Sequence, residues 1–239
     1  MEEIEDFVDE RNKSWCIHCG AWLTAVTTNE DHVPSKSLLR KPRPQHLPVV
    51  RVCSPCNSGF SKDEQYFVAF IQSVLIGSTD PSMHANQSAS RALSESAKLR
   101  ERIERSKISY RTHGGDTRIV WKPEIDRINR VILKNARGHA YFEFGEPMLD
   151  KPDYVWNYPL EALTAAERGA FEDANDTNHL AVWPEVGSRM MTRIMSGQDL
   201  DGPWVIVQDG TYRYSVAQHG GLVVRSVLYE YLATEVQWS

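Results

Sequence analysis

The spacing of apolar residues changes along the chain and divides it into segments of different texture. Residues 23–28 and 47–52 are short runs with strand composition. Phe67, Phe70, Ile71, Val74 and Leu75 then recur at helical spacing as far as Gly77, and Ser61 with Glu64 fits a capping box at the start of that helix. Over 85–107, Ala, Ser, Glu, Arg and Lys surround a thin apolar seam of Leu93, Leu99 and Ile103, the pattern of a largely exposed helix. Residues 2–12 read as a short acidic amphipathic helix.

From about residue 117 strand and helix signals alternate. A strand over 117–121 leads to Pro123 as a helix start, with Ile125, Ile128 and Ile132 on one face and Gly138 as the predicted end. Residues 140–144 and 154–158 read as strands, and Thr164 caps a helix reaching about 175. Asp209-Gly210 separates the strand-like runs 204–208 and 211–218, which is a strong hairpin signal, and 222–238 holds one or two further strands. The prediction is an α+β chain of three parts: an N-terminal module over 1–80, a helical connector over 81–116 and an α+β domain over 117–239.

Charge sharpens this division. The chain of 239 residues has a formal net charge of −5, the wrong sign for a nucleic-acid binder taken as a whole. The distribution is uneven: 11–60 holds seven bases (Arg11, Lys13, Lys36, Arg40, Lys41, Arg43, Arg51) against Glu30 and Asp31, a local charge of +5. No apolar run approaches membrane-spanning length and no signal-peptide pattern opens the chain, so the expectation is a cytoplasmic protein without membrane partners. Reduced thiols are the rule in that compartment, and paired cysteines there read first as metal ligands.

The four cysteines form two C-x-x-C pairs, Cys16 with Cys19 and Cys53 with Cys56. Each pair bites one ion through a tight turn, and two pairs close a tetrahedral thiolate shell with no position left for water. The expected ion is one structural Zn2+ per chain. Between the pairs lies Asn29-Glu30-Asp31-His32-Val33-Pro34, and Asn57 follows the second pair directly.

An Asp-His step enclosed by C-x-x-C and C-x-x-C-N resembles the zinc-framed HNH endonucleases over roughly residues 16–65. The resemblance implies a ββα-metal module that hydrolyses DNA phosphodiester bonds, with His32 as the general base. It implies that Asp31 and Asn57 hold a catalytic divalent ion, Mg2+ or Mn2+. Facing the metal and the water from adjacent positions requires Asp31 and His32 to sit on a distorted strand, which Val33-Pro34 would explain. The family's middle asparagine is missing, since His46, Leu47 and Pro48 occupy its neighbourhood.

Lys36, Arg40, Lys41, Arg43, Arg51 and Lys62 are the candidate phosphate contacts. Contacts of that kind position a duplex without reading its sequence, so low intrinsic specificity follows. The acidic balance of the rest points to restraint or delivery by a protein partner, and the resemblance associates such proteins with bacterial and phage defence. A second reading is a zinc module without catalysis that binds protein or nucleic acid.

Overall fold

The computed structural model describes residues 1, 12–173, 184–218 and 221–239, so the acidic helix over 2–12 falls almost wholly outside them. The fold is mixed α+β. Two compact units divide the chain, Met1–Gly59 with Ile132–Ser239 in one and Phe60–Val131 in the other. The chain passes between them inside two helices, α1 (Ser54–Ile76) and α4 (Ile125–Phe144), so the division does not coincide with breaks at 80 and 116. No helix among the described residues is long and apolar enough to cross a membrane.

The first unit opens with an antiparallel hairpin of β1 (Thr28–His32) and β2 (Val49–Cys53), in register from Thr28↔Cys53 to His32↔Val49. The strand predicted over 23–28 is displaced to β1. Leu23–Ala25 forms a single 3-10 turn instead, because β2 offers a pairing partner only to 28–32. Helix α1 starts at Ser54, directly after β2, with Pro55 in its first turn, where a missing N–H costs nothing. Ser61 and Glu64 therefore lie inside a helix and cap nothing.

Helix α4 runs on to Phe144, so 140–144 is helical rather than extended. Gly138 does not end it. A Cβ at that position would sit 2.5 Å from Val33 Cγ2, so the glycine is there to let the chain beyond β1 approach the helix. The true stop is Gly145, at φ +79, whose N–H bonds to Tyr141 O at 2.8 Å.

A six-stranded antiparallel sheet completes this unit. It comprises β5 (Tyr154–Pro159), β6 (Leu200–Asp201), β7 (Trp204–Gln208), β8 (Tyr212–Gln218), β9 (Leu222–Leu228) and β10 (Leu232–Trp238). Their order is β5-β10-β9-β8-β7-β6. Asp209-Gly210 makes the β7–β8 turn, as its sequence predicts. The β9–β10 turn uses Tyr229 and Glu230 at φ +57 and +50, conformations unusual for residues with a Cβ. Helix α5 (Ala165–Glu172) starts at the predicted cap Thr164, through a complete capping box with Glu167. Helix α6 (Arg189–Ser196), which no sequence signal indicated, is capped by Ser188 and ends at Gly197.

In the second unit the helix predicted over 85–107 is two helices, α2 (Gln87–Glu95) and α3 (Ala97–Glu104). Ser96 interrupts them because its hydroxyl accepts the N–H of Leu99 and caps α3. Beyond α3 an unpredicted strand β3 (Lys107–Arg111) pairs with β4 (Thr117–Trp121) in an isolated two-stranded sheet. Asp63 of α1 binds Arg127 and Arg130 of α4 at 2.6 and 2.7 Å, and Tyr66 Oη accepts the Glu124 N–H at 2.8 Å.

Candidate functional site

The two cysteine pairs converge. The four Sγ atoms lie within 4.8 Å of one another, and Cys19 Sγ is 3.7 Å from Cys53 Sγ. A tetrahedron with Zn–S bonds of about 2.3 Å has edges of about 3.8 Å, so the cluster would close on one zinc ion with side-chain shifts of about 1 Å or less. The local chain explains the convergence. Cys16 and Cys19 flank a tight turn closed by Gly20 N to Cys16 O at 2.8 Å, and Trp15 and Trp22 pair across its base. Cys53 ends β2, and Cys56 lies one helical turn on, in α1.

Burial favours the neutral thiol at Cys16. The N–H groups of Cys53, His18 and Cys19 oppose it and win, holding that thiol below its ordinary value. Burial raises Cys53 and Cys56. The cluster is part of a small core made by Cys16, Ile17, Leu23, Val33, Val50, Val52 and Cys53 together with Tyr141 of α4. The cysteine cluster therefore packs on a residue more than 80 positions away in sequence.

That helix does more than pack. Lys134, 3 % exposed, places Nζ 2.7 Å from Asp31 Oδ1 and 2.9 Å from Ser35 Oγ. Asn135 Oδ1 accepts the N–H and the hydroxyl of Ser35, each at 3.1 Å. Arg137 donates to His18 O at 2.9 Å. Residues 134, 137, 138 and 141 follow one another at helical spacing, so a single face of α4 holds the turn at His18, the end of β1 and the loop after it.

Asp31 is accordingly not placed as the resemblance implies. It is 6 % exposed, with Oδ1 on Lys134 and Oδ2 3.5 Å from His18 Nε2. Burial pushes its carboxyl up, but His18 and Lys134 outweigh that and hold it below the ordinary carboxylate range. The register of β1 is regular through Asp31 and His32, so the two side chains leave opposite faces and the distortion needed to bring both to one centre is absent. Asn57, half-buried in the first turns of α1, makes no hydrogen bond or ion pair with Asp31. This arrangement does not fit a divalent ion held by Asp31 and Asn57, because a lysine ammonium already takes the carboxylate.

His32 is placed differently. It ends β1, is half-buried, and has no hydrogen-bond partner among the described residues. Burial, then the charge of Lys36, lowers its pKa against the opposing pull of Asp31 and Glu30. The shift favours the neutral imidazole, and its ring nitrogens bond to nothing among the described residues.

The basic loop is only partly an open surface. Lys36 and Lys41 are exposed, while Arg43 Nε bonds to Lys36 O at 3.1 Å and Arg51 Nε to Thr28 Oγ1 at 3.1 Å. Gln208 clamps the loop by accepting the Arg40 N–H at 2.8 Å and donating to the carbonyls of Arg40 and Pro42. Tyr229 Oη donates to Leu38 O at 2.6 Å. The hairpin ends of the C-terminal sheet thus fix the chain that follows His32. Lys62 belongs to the second unit.

The residues that the motif could not reveal are Lys134, Asn135 and Arg137. Their helix was legible, but nothing in its pattern distinguishes a buried lysine from a solvated one. No protein-family model, no curated protein and no solved structure matches the chain.

Proposed function

We propose that the chain is an endonuclease of the HNH type that hydrolyses DNA phosphodiester bonds with little sequence preference. The observation that supports this reading is His32, a neutral and uncommitted imidazole at the end of a hairpin that runs straight into a helix and is closed by a four-thiolate cluster. General-base catalysis needs a group able to take a proton from water near neutral pH, and a neutral imidazole is such a group. His32 takes that proton at a ring nitrogen. Lys36, whose charge already acts on His32, is the cation of the basic loop to meet the phosphate oxygens. Zinc would supply no chemistry here: with four thiolates its coordination is closed, and it would hold the Cys16–Cys19 turn to the end of β2 and the start of α1.

The test is plasmid cleavage with magnesium, manganese or no added divalent ion. Cleavage is expected in at least one of these conditions, lost by at least a hundredfold in His32→Ala with zinc content unchanged. Because the His32 pKa is lowered, activity should hold through neutral pH and fall only below the ordinary histidine value of about 6.5. Identical behaviour of wild type and His32→Ala under every metal condition sinks the proposal. The module would then be a zinc-held interaction module, the reading that the Asp31–Lys134 pair favours.

A further inference from the structure

The β3–β4 hairpin is a two-stranded sheet of its own within the second unit. Its pairing places Ile108, Tyr110, Arg118 and Val120 on one face and Lys107, Ser109, Arg111, Thr117, Ile119 and Trp121 on the other. Its base is anchored: Trp121 meets the Phe70 ring edge-on at 6.4 Å and carries Lys107 Nζ over its face at 4.6 Å. Beyond the base both faces are open, with Ile108 50 %, Tyr110 46 %, Ile119 54 % and Val120 49 % exposed. Two isolated strands are marginally stable in water, and a β-rich apolar arm of this kind calls for something to cover it.

Charge identifies what covers it. Residues 105–122 carry Arg105, Lys107, Arg111, Arg118 and Lys122 against the single acid Asp116, a local +4 in a chain whose net charge is −5. Arg105 and Lys107 are paired with Glu101 and Glu104. Arg111, Arg118 and Lys122 are exposed and form no ion pair among the described residues. Uncommitted cations beside exposed apolar and aromatic side chains, on a ribbon two strands wide, match a polyanion with a groove. The major groove of duplex DNA, about 12 Å wide, admits a two-stranded ribbon.

We propose that this hairpin is a DNA-binding arm that enters the major groove of a duplex, with Arg111, Arg118 and Lys122 on flanking phosphates and Ile108, Tyr110 and Val120 against base edges. The choice of DNA rests on the nuclease reading; the ribbon, its charge and its exposure do not.

The experiment measures binding separately from cleavage. Full-length His32→Ala protein, with and without the added triple change Arg111→Gln, Arg118→Gln and Lys122→Gln, is titrated into a labelled mixed-sequence duplex between about 0.05 and 0.2 M salt. Loss of three phosphate contacts should lower the slope of log K against log salt by about 2.7, at about 0.9 per contact. Amide exchange over 107–121 in the protein without the triple change should slow when the duplex is added, which needs no folding of the triple variant.

An unchanged slope, unchanged exchange, or equal affinity and slope on single-stranded DNA overturns the proposal. So does a dimer that dissociates on Ile119→Thr, since a second copy would then be the occupant. Binding through the hairpin without cleavage by the protein retaining His32 leaves the arm standing and removes the nuclease. Cleavage indifferent to the triple change does the reverse.

Discussion

Two buried ion pairs hang from the same helix nine residues apart, and they are built differently. Lys134 of α4 meets Asp31 under the cysteine module, where the carboxylate also has His18 and the ammonium also has Ser35. Glu143 of α4 meets Arg193 of α6 through both carboxylate oxygens at 3.1 Å, and its Oε1 also accepts the Tyr214 hydroxyl at 2.5 Å. Arg193 reaches on to Asp199 at 2.9 Å, and its charge is strengthened against the cost of burial by Tyr214, Glu143 and Asp199. The second pair is sealed, at 0 % and 1 % side-chain exposure. The first lies next in sequence to a half-exposed, uncommitted histidine. Lys134 shares its ammonium between Asp31 and Ser35, whereas Glu143 and Arg193 are closed into a network with Tyr214 and Asp199.

Removing zinc should separate the two regions most strongly. Four-thiolate sites contribute about 10 kcal/mol or more to the folding of small modules, so strong chelation should unfold the hairpin of β1 and β2. Near-ultraviolet dichroism of the Trp15–Trp22 edge-on pair reports that loss, while amide protection in β8 and β9 should persist. Simultaneous loss of both signals would show that the first unit has a single cooperative core.

The next effect concerns the pairs themselves. Breaking a buried pair from one side costs about 3 to 5 kcal/mol, and Glu143→Gln should fall in that range by denaturant unfolding. Lys134→Met should cost less, because Asp31 keeps His18. The two variants should also differ in acid. Lys134 helps to lower the Asp31 pKa, so its contribution is present above the unfolded carboxylate pKa and is lost as pH falls through the lower folded value. Without Lys134 the folded value rises, and the acid unfolding limb should move to higher pH. An unmoved limb would mean that the pair is not ionised as described.

The smallest effect tests how closely α4 must approach the end of β1. Gly138→Ala puts a methyl 2.5 Å from Val33 Cγ2, and overpacking of this kind costs about 1 to 3 kcal/mol. The same change at Gly59, which lies in α1 and where an added Cβ meets nothing within 4 Å, should instead be neutral or slightly stabilising. Equal behaviour of the two would remove the close approach as an explanation for Gly138.

What was legible in the sequence was local. Two C-x-x-C pairs specified a cluster, Thr164 and Asp209-Gly210 specified a cap and a turn, and the alternation over 154–158 and 204–218 specified strands. The errors share a cause. Gly138 looked like a stop because glycine commonly ends helices, yet the reason for it lies on Val33, 105 positions away. Ser61 and Glu64 had the form of a cap inside a helix that had already begun. The β9–β10 turn carries neither Gly nor Asn, and Tyr229 enters it while its hydroxyl bonds the chain at Leu38.

The candidate site divides along the same line. Sequence by itself determined which residues can hold zinc, because ligand chemistry and the i, i+3 bite are properties of a short segment. It also marked His32 as the residue worth examining. Only the tertiary structure decided what Asp31 does, since the cation it meets lies 103 positions later, on α4, and the burial of Lys134 leaves no trace in local pattern. Hydrophobic spacing says which side of a helix faces inward; which charge waits on the other side of that interface is settled when the elements pack.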